Sequence, residues 1–135
     1  MNTFLIVGLL LALKHFLCDG PWQTPYQYLN KGKFLHPGGL YHASLHGLCT
    51  FCIFALLGLG WFGVLDFIMH YTIDLLKTRL TAMHGWSRMV TPNFSGDCPH
   101  QAGLLITSDK YFWALVADQS LHFATYVVFL SVLAR

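Results

Sequence analysis

The chain has 135 residues, of which 55% are hydrophobic and only 10% are charged. A soluble domain carries about 25% charged residues because its surface must be hydrated, so this composition excludes an ordinary soluble protein and a disordered tail. Eight Lys and Arg against six acidic residues leave a formal charge of +2, which is too small for a surface that binds nucleic-acid phosphates. All the acids are Asp, and eight histidines accompany them. Few charges and many imidazoles in an apolar chain favour a site inside a membrane.

Four apolar runs follow one another along the chain, and each is predicted to be a membrane-spanning helix. They cover residues 3 to about 18, 40 to about 60, about 62 to 80, and about 109 to 133. Pro37-Gly38-Gly39 is interpreted as a breaker before the second run, and residues 81–108 form the longest connector. No internal repeat is present, so residues 1–135 are predicted to form a single domain. The predicted fold is all-α, an integral membrane four-helix bundle.

The positions of the basic residues predict the orientation of this bundle. The two connectors on one side carry most of them: Lys31, Lys33, Lys77, Arg79, Arg88 and Lys110. The opposite side offers only Arg135 and the terminal amine. The positive-inside rule therefore places both connectors in the cytoplasm and both termini outside it.

Every predicted span carries ionisable residues at a spacing of four positions. The pairs are His15 with Asp19, His42 with His46, His70 with Asp74, and Asp118 with His122. This spacing puts both side chains on one helix face, about 6 Å apart along the axis. Random placement of the His and Asp residues would give roughly 1.4 such pairs, whereas the sequence has five when Asp66 with His70 is included. Asp66 lies nearer the opposite end of its span and is predicted to cap that helix.

The four main pairs are predicted to share one layer in the cytoplasmic half of the bilayer and to bind metal. Charged side chains in hydrocarbon cost several kcal/mol unless they find partners, and imidazole and carboxylate are the usual ligands of zinc, iron and manganese. Eight donors suit two or three divalent ions, with zinc as the expected metal and iron as the alternative. The other interpretation is that these residues form His–Asp hydrogen bonds that only specify helix packing.

Catalytic and substrate-binding roles are predicted for a few of the polar residues. A carboxylate that is not fully committed to coordination can act as a base, so Asp19 and Asp118 are the catalytic candidates. The predicted substrate contacts are Gln23, Lys31, Lys77 and Arg79, whose cations are suited to clamp phosphate oxygens. The same cations also flank the spans, where they would only mark the cytoplasmic side.

Several motifs together resemble a known family. They are Lys14-His15-Phe16-Leu17-Cys18-Asp19, Gln23-Thr24, Asn30-Lys31-Gly32-Lys33, His42-x-x-x-His46, His70-Tyr71-x-Ile73-Asp74-x-x-Lys77 and Asp118-Gln119-x-x-His122. This pattern is similar to a family of short multi-pass membrane proteins of bacteria and their phages, whose function is unknown. The resemblance covers most of the chain except residues 81–108, and it implies a multi-pass protein of the bacterial inner membrane.

The ligand pattern also resembles, more loosely, membrane-bound metal-dependent hydrolases and the zinc-dependent phospholipase C and nuclease group, whose site holds three zinc ions. This chain departs from that soluble group because it has no Glu ligand. The resulting expectation is a membrane-embedded hydrolase with a multinuclear zinc site, acting on a phosphate ester or a lipid at the cytoplasmic leaflet. Its expected partners are the bilayer and that substrate, with homo-oligomers as a further option and no nucleic acid.

Three other functions remain open at this point. A membrane di-iron oxidoreductase would suit His42-x-x-x-His46, although a His-x-x-His-His cluster is missing. A transition-metal transporter would use the same pairs, and four short spans would then have to oligomerise to form a path. A haem protein would need only two facing histidines and leaves the other donors unexplained.

Overall fold

The computed structural model describes residues 2–90, 103–106 and 108–133. Helices account for most of these residues: α1 Thr3–Asp19, α2 Pro25–Asn30, α3 Pro37–Ala55, α4 Phe62–Met83 and α5 Lys110–Leu133. Two short strands, β1 Ser87–Val90 and β2 Gly103–Ile106, pair antiparallel within the long connector. The helical fold predicted from the four apolar runs is confirmed, while the short α2 and the strand pair were not predicted.

Polar side chains define where α2 and α3 begin. The Thr24 hydroxyl accepts a hydrogen bond from the Gln27 backbone N–H, and the Gln27 side-chain oxygen accepts one from the Thr24 backbone N–H. At the start of α3, His36 Nδ1 accepts a hydrogen bond from the Gly38 backbone N–H at 3.1 Å. Pro37 then occupies the first helical turn, where its missing N–H costs nothing. The interpretation of residues 37–39 as a breaker is therefore wrong, since they begin the helix.

The backbones of α3 and α4 touch at a pair of glycines. A Cβ atom on Gly47 would lie 2.7 Å from the carbonyl oxygen of Gly63, and a Cβ on Gly63 would lie 2.6 Å from the carbonyl oxygen of Gly47. No side chain fits in this space, so the small residues set the distance between the helices. One consequence is that the rings of His46 and His70 stack with their centroids 3.5 Å apart.

The bundle interior is apolar at one end only. Its buried apolar cluster contains Val7, Leu11, Phe54, Phe62, Tyr126 and Phe129. One turn further along each helix the buried side chains become ionisable or hydroxylic, as at Lys14, Thr50 and Asp66. The interior thus changes from packed rings to charged and hydrogen-bonding groups along the bundle axis, and the predicted ligands lie beyond this boundary.

The described residues bury more polar than apolar side chains, fifteen against ten. Large apolar side chains instead face outward from the four long helices, for example Phe16, Leu48, Val64 and Trp113, each more than 60% exposed. By length and composition, one helix among the described residues, α5, is long and apolar enough to cross a membrane. Helix α1 has only 17 residues, and α4 carries four charged side chains. The predicted four spans therefore remain a prediction.

Candidate metal centre

The four helices bring all eight predicted ligands into one region of the bundle interior. Seven of them are at most 3% exposed, and the eighth, Asp19, has a side chain that is 19% exposed. Each helix contributes one pair, because side chains four residues apart share one helix face. The sequence spacing therefore accounts for why each helix turns two donors towards the same interior.

Asp19 and three histidines form the first group of potential ligands. Asp19 Oδ1 lies 3.1 Å from His42 Nε2, 3.3 Å from His46 Nε2 and 3.7 Å from His70 Nε2. The Nε2 atoms of His42 and His70 are 3.2 Å apart. Four ligands at about 2.0–2.1 Å from a tetrahedral ion would lie about 3.4 Å from one another. These distances match the edges of such a tetrahedron, so the group could hold one ion.

The second group consists of His70, Asp74 and His122. Asp74 Oδ2 lies 3.5 Å from His70 Nε2, and the rings of His70 and His122 stack with centroids 4.0 Å apart. Asp118 Oδ1 lies 3.7 Å from His122 Nε2, just outside this group. Because His70 belongs to both groups, the two potential metal positions are adjacent.

Buried atoms without hydrogen-bond partners distinguish this region from an ordinary polar core. Among the described residues they are Asp19 Oδ1, His46 Nε2, His70 Nδ1, Asp74 Oδ2, Asp118 Oδ1 and His122 Nε2. All six belong to predicted ligands. Although three ring nitrogens surround Asp19 Oδ1, none is aligned to donate a hydrogen bond to it. Buried polar atoms are normally hydrogen-bonded. Potential ligand atoms that lie close together without hydrogen bonds are what a metal site requires, and they fit a His–Asp hydrogen-bond network less well.

Charge compensation differs between the interior carboxylates. Three of them form ion pairs with lysines: Asp66 with Lys14 at 2.5 Å, Asp74 with Lys31 at 3.0 Å and Asp118 with Lys77 at 3.5 Å. Asp19 forms no ion pair with a lysine or arginine of the described chain, and its neighbours are histidines. A carboxylate facing three imidazoles is a site where a metal cation would supply the missing positive charge.

The family assignment agrees with the resemblance seen in the motifs. The chain belongs to the family described as protein of unknown function DUF3307, whose model matches residues 5–135. Comparison with curated proteins and with solved structures found no match. Membership of a family of unknown function is thus established, and any functional argument depends on the site itself.

The predicted substrate contacts occupy different positions around this centre. Gln23 Nε2 lies 3.3 Å from His42 Nε2, and Lys31 and Lys77 reach the carboxylates of Asp74 and Asp118. Arg79 does not reach the centre, since its guanidinium lies over the Phe34 ring, 5.8 Å from the centroid. The two lysines are therefore placed to neutralise predicted ligands.

Lys31 is held in its charged form by this arrangement. Burial alone would lower the pKa of Lys31, but the nearby carboxylates of Asp74 and Asp19 outweigh burial and raise the pKa above its ordinary value. The side chain is 8% exposed, so its ammonium is a fixed interior charge beside the second group.

His15 contacts the centre but lies outside both groups of potential ligands. Its Nδ1 is 3.1 Å from the Tyr126 hydroxyl, and its Nε2 is 2.9 Å from Gln119 Oε1 and 3.2 Å from Asp19 Oδ2. The ring thus orients the oxygen of Asp19 that points away from the other histidines. Such partners of a ligand fix its position and tune its affinity for metal.

No role was predicted from the sequence for three interior residues beside the centre: Lys14, Thr50 and Tyr126. Asp66 Oδ2 receives hydrogen bonds from both Lys14 Nζ and the Thr50 hydroxyl, the latter at 2.6 Å. Lys14 Nζ also lies 3.3 Å from His46 Nδ1 and 4.7 Å from the centroid of the Tyr126 ring. The prediction that Asp66 caps its helix is wrong, because its carboxylate is ion-paired inside the bundle. A lysine within an otherwise apolar run is the sequence signal that could have revealed this interior charge.

Proposed function

We propose that the protein is a membrane-embedded, metal-dependent hydrolase that uses zinc to cleave a phosphate ester or a related lipid bond at the cytoplasmic leaflet. The observation that carries this proposal is the first group of ligands, in which three buried histidines surround a carboxylate that has no lysine partner. Imidazole and carboxylate ligands in this number suit zinc.

The distribution of side chains supports a location in the membrane. A soluble bundle turns its apolar face inward, whereas here the charged and imidazole groups lie inside and the leucine, valine and phenylalanine side chains lie outside. Large contiguous apolar surfaces are rare on soluble monomers. A lipid environment would cover this surface, and we expect α1, α3 and α4 to cross the membrane together with α5.

A site for two ions is favoured by the donors available. A neutral imidazole offers one lone pair to a metal, so His70 serves one ion at a time. If His70 binds the second ion together with Asp74 and His122, then Asp19, His42 and His46 remain for the first ion. Three protein ligands leave a coordination position for water or substrate, as in catalytic zinc sites.

Zinc in such a site would lower the pKa of a bound water towards about 7 and stabilise negative charge on the phosphoryl or acyl oxygen. Asp19 is the better placed of the two predicted catalytic carboxylates. It is 19% exposed and free of lysine partners, whereas Asp118 is almost fully buried and paired with Lys77. For a phosphate ester, the water oxygen bonds to phosphorus as the ester P–O bond breaks. Asp19 would accept the proton of the water on Oδ2, the oxygen that does not face the three histidines, and that proton would then pass to the leaving alkoxide.

Metal analysis by mass spectrometry on detergent-purified protein, with an absorption spectrum of the same sample, tests the proposal. We expect about two zinc ions per chain and no visible absorption. His46→Ala and His70→Ala should each lose zinc and the hydrolysis of bis(p-nitrophenyl) phosphate. His84→Ala, which changes an exposed histidine at the end of α4, is the matched control and should lose neither.

Other outcomes of this measurement would point to other functions. Iron near two per chain would favour the di-iron oxidoreductase, and a Soret band would favour haem. Zinc that crosses vesicle membranes without any hydrolysis would favour the transporter. If the protein bound no metal, or if both histidine variants kept metal and activity, the proposal would be wrong.

A further inference from the structure

A groove of about 360 Å³ opens between α1 and α5 and reaches the first group of ligands. Its polar lining is formed by His15, Asp19 and Gln119, and its apolar walls by Ala12, Phe16 and Phe123. On α1, Ala12, Phe16 and Asp19 are four and three residues apart and so share one helix face. The same spacing of four places Gln119 and Phe123 together on α5. The two helices therefore present a groove whose accessible surface is almost entirely apolar, with the side chains of His15, Asp19 and Gln119 among its lining residues.

This groove is where the first group of ligands contacts the surroundings. Side chains of His42, His46 and His70 are at most 1% exposed, whereas that of Asp19 is 19% exposed and lines the groove. The groove walls face outward, with Phe16 68% and Phe123 44% exposed. A second groove of about 540 Å³ shares Gln119 and Phe123 and continues along α5. A molecule that touches Asp19 from within this groove therefore lies against lining residues that include Phe16 and Phe123.

We infer that the substrate is an amphiphile that reaches the site laterally, between α1 and α5. Its polar head group lies against Asp19, His15 and Gln119, and its hydrocarbon chain lies between Phe16 and Phe123. This inference rests on the proposed function, because a contact with Asp19 matters to a substrate only if a reaction occurs at the metal centre. It adds the chemical class of the substrate and the route by which the substrate arrives.

A neighbouring cavity provides the competing route. A pocket of about 240 Å³ lies between α4 and α5, and its mostly apolar lining ends at Lys77 and Asp118. The side chains of Lys77 and Asp118 are only 11% and 1% exposed and are paired with each other. A head group in this pocket would first have to break that ion pair, which is why the groove that ends at Asp19 is favoured.

The test compares two alanine-to-tryptophan variants, Ala12→Trp in the α1–α5 groove and Ala117→Trp in the α4–α5 pocket. The probes are dodecylphosphonate and methylphosphonate, titrated calorimetrically into zinc-loaded protein. All titrations use the same detergent, so that the partitioning of the dodecyl chain into micelles is the same for both variants. We expect Ala12→Trp to weaken dodecylphosphonate binding at least tenfold while methylphosphonate binding and zinc content stay within twofold. Ala117→Trp should change none of the three quantities. Ala12→Leu, a smaller obstruction, should weaken dodecylphosphonate less, and thermal melting checks that each variant is folded.

The possible failures can be told apart. If zinc is bound and dodecylphosphonate binds Ala12→Trp and the wild type equally well, the inference is overturned while the proposed function stands. If Ala117→Trp alone weakens dodecylphosphonate binding, the dodecyl chain of the probe lies between α4 and α5, and the inference is again overturned. If the wild-type protein binds no zinc, the proposed function fails and the inference fails with it.

Discussion

Lys31 and Asp74 form an ion pair of 3.0 Å between the short helix α2 and the middle of α4. Both residues are at least nine-tenths buried. Lys31 directly follows the last residue of α2 and is its C-terminal cap, so the connector between α1 and α3 is anchored to the ligand region by this contact. Among the described residues, the one lysine or arginine paired with Asp74 thus comes from outside the four long helices, whereas its histidine neighbours, His42 and His70, lie on α3 and α4.

Replacing this lysine should destabilise the metal-free protein more than the zinc-loaded one. Lys31→Met leaves the buried Asp74 without its lysine, with only the His42 and His70 ring nitrogens beside it among the described residues. Breaking a buried ion pair from one side typically costs about 3–5 kcal/mol, whereas a zinc ion bound by Asp74 would supply the compensating charge. Thermal melting in detergent, with and without a chelator, measures both effects. Lys33→Met is the control, because Lys33 is exposed and, among the described residues, its ammonium donates its one hydrogen bond to Asn30. An equal loss in both forms would argue against Asp74 as a ligand.

The same ion pair has a defined pH range. Because the folded-state pKa of Lys31 is raised, its contribution to stability is fully present below the ordinary lysine pKa of about 10.4 and is lost as the pH rises through the higher folded value. In the chelator-treated protein we expect the difference in melting temperature between wild type and Lys31→Met to stay constant from about pH 7 to 9 and to shrink above about pH 11. A difference that disappeared near neutral pH would contradict this assignment.

His15 should behave as a positioning residue for Asp19 and not as a metal ligand. His15→Phe keeps a ring of similar shape but removes both nitrogens, so Asp19 loses one partner while His42, His46 and His70 remain. We expect zinc to bind with about 10–100-fold lower affinity, the usual effect of losing such a partner, whereas His46→Ala should lose zinc entirely. Competition with a fluorescent zinc chelator measures both affinities. If His15→Phe lost zinc as completely as His46→Ala, His15 would have to be counted as a ligand.

The features that could be predicted from the sequence are those that are set within a single helix. Long apolar runs predict the four long helices, and a spacing of four residues predicts that His42 and His46 share a face. The partners across helices could not be predicted, because they depend on how each helix rotates about its axis. Asp66 illustrates this, since its position near the start of a helix suggested a cap, while the rotation of α1 brings Lys14 to it. The same dependence separates His15, which contacts Tyr126 and Gln119, from the histidines that face one another.

Packing at the glycine contact should control whether the centre assembles. Gly47→Ala would place its Cβ 2.7 Å from the Gly63 carbonyl oxygen, so α3 and α4 would have to separate, and His46 would move away from His70. We expect lower thermal stability and reduced zinc content. Gly8→Ala is the matched control, because its Cβ would meet only Leu130 at an ordinary 3.5 Å, and alanine favours the helix over glycine by about 0.8–1.0 kcal/mol. Equal tolerance of both substitutions would show that the close approach is not required.

The ion pair of Lys14 with Asp66 should stabilise the bundle without taking part in zinc binding. Among the described residues, Lys14→Met leaves Asp66 with only the Thr50 hydroxyl as a hydrogen-bond partner, and breaking a buried pair from one side typically costs about 3–5 kcal/mol. Replacing both residues, as in Lys14→Met with Asp66→Leu, removes both charges and should recover most of this loss, because apolar replacements of buried pairs are often neutral. Melting temperatures of the two single variants and the double variant measure the coupling.

Zinc content should be unchanged in the double variant, since neither residue belongs to the two groups of ligands. Loss of zinc there would show that Lys14, 3.3 Å from His46 Nδ1, is needed to hold that ring in place.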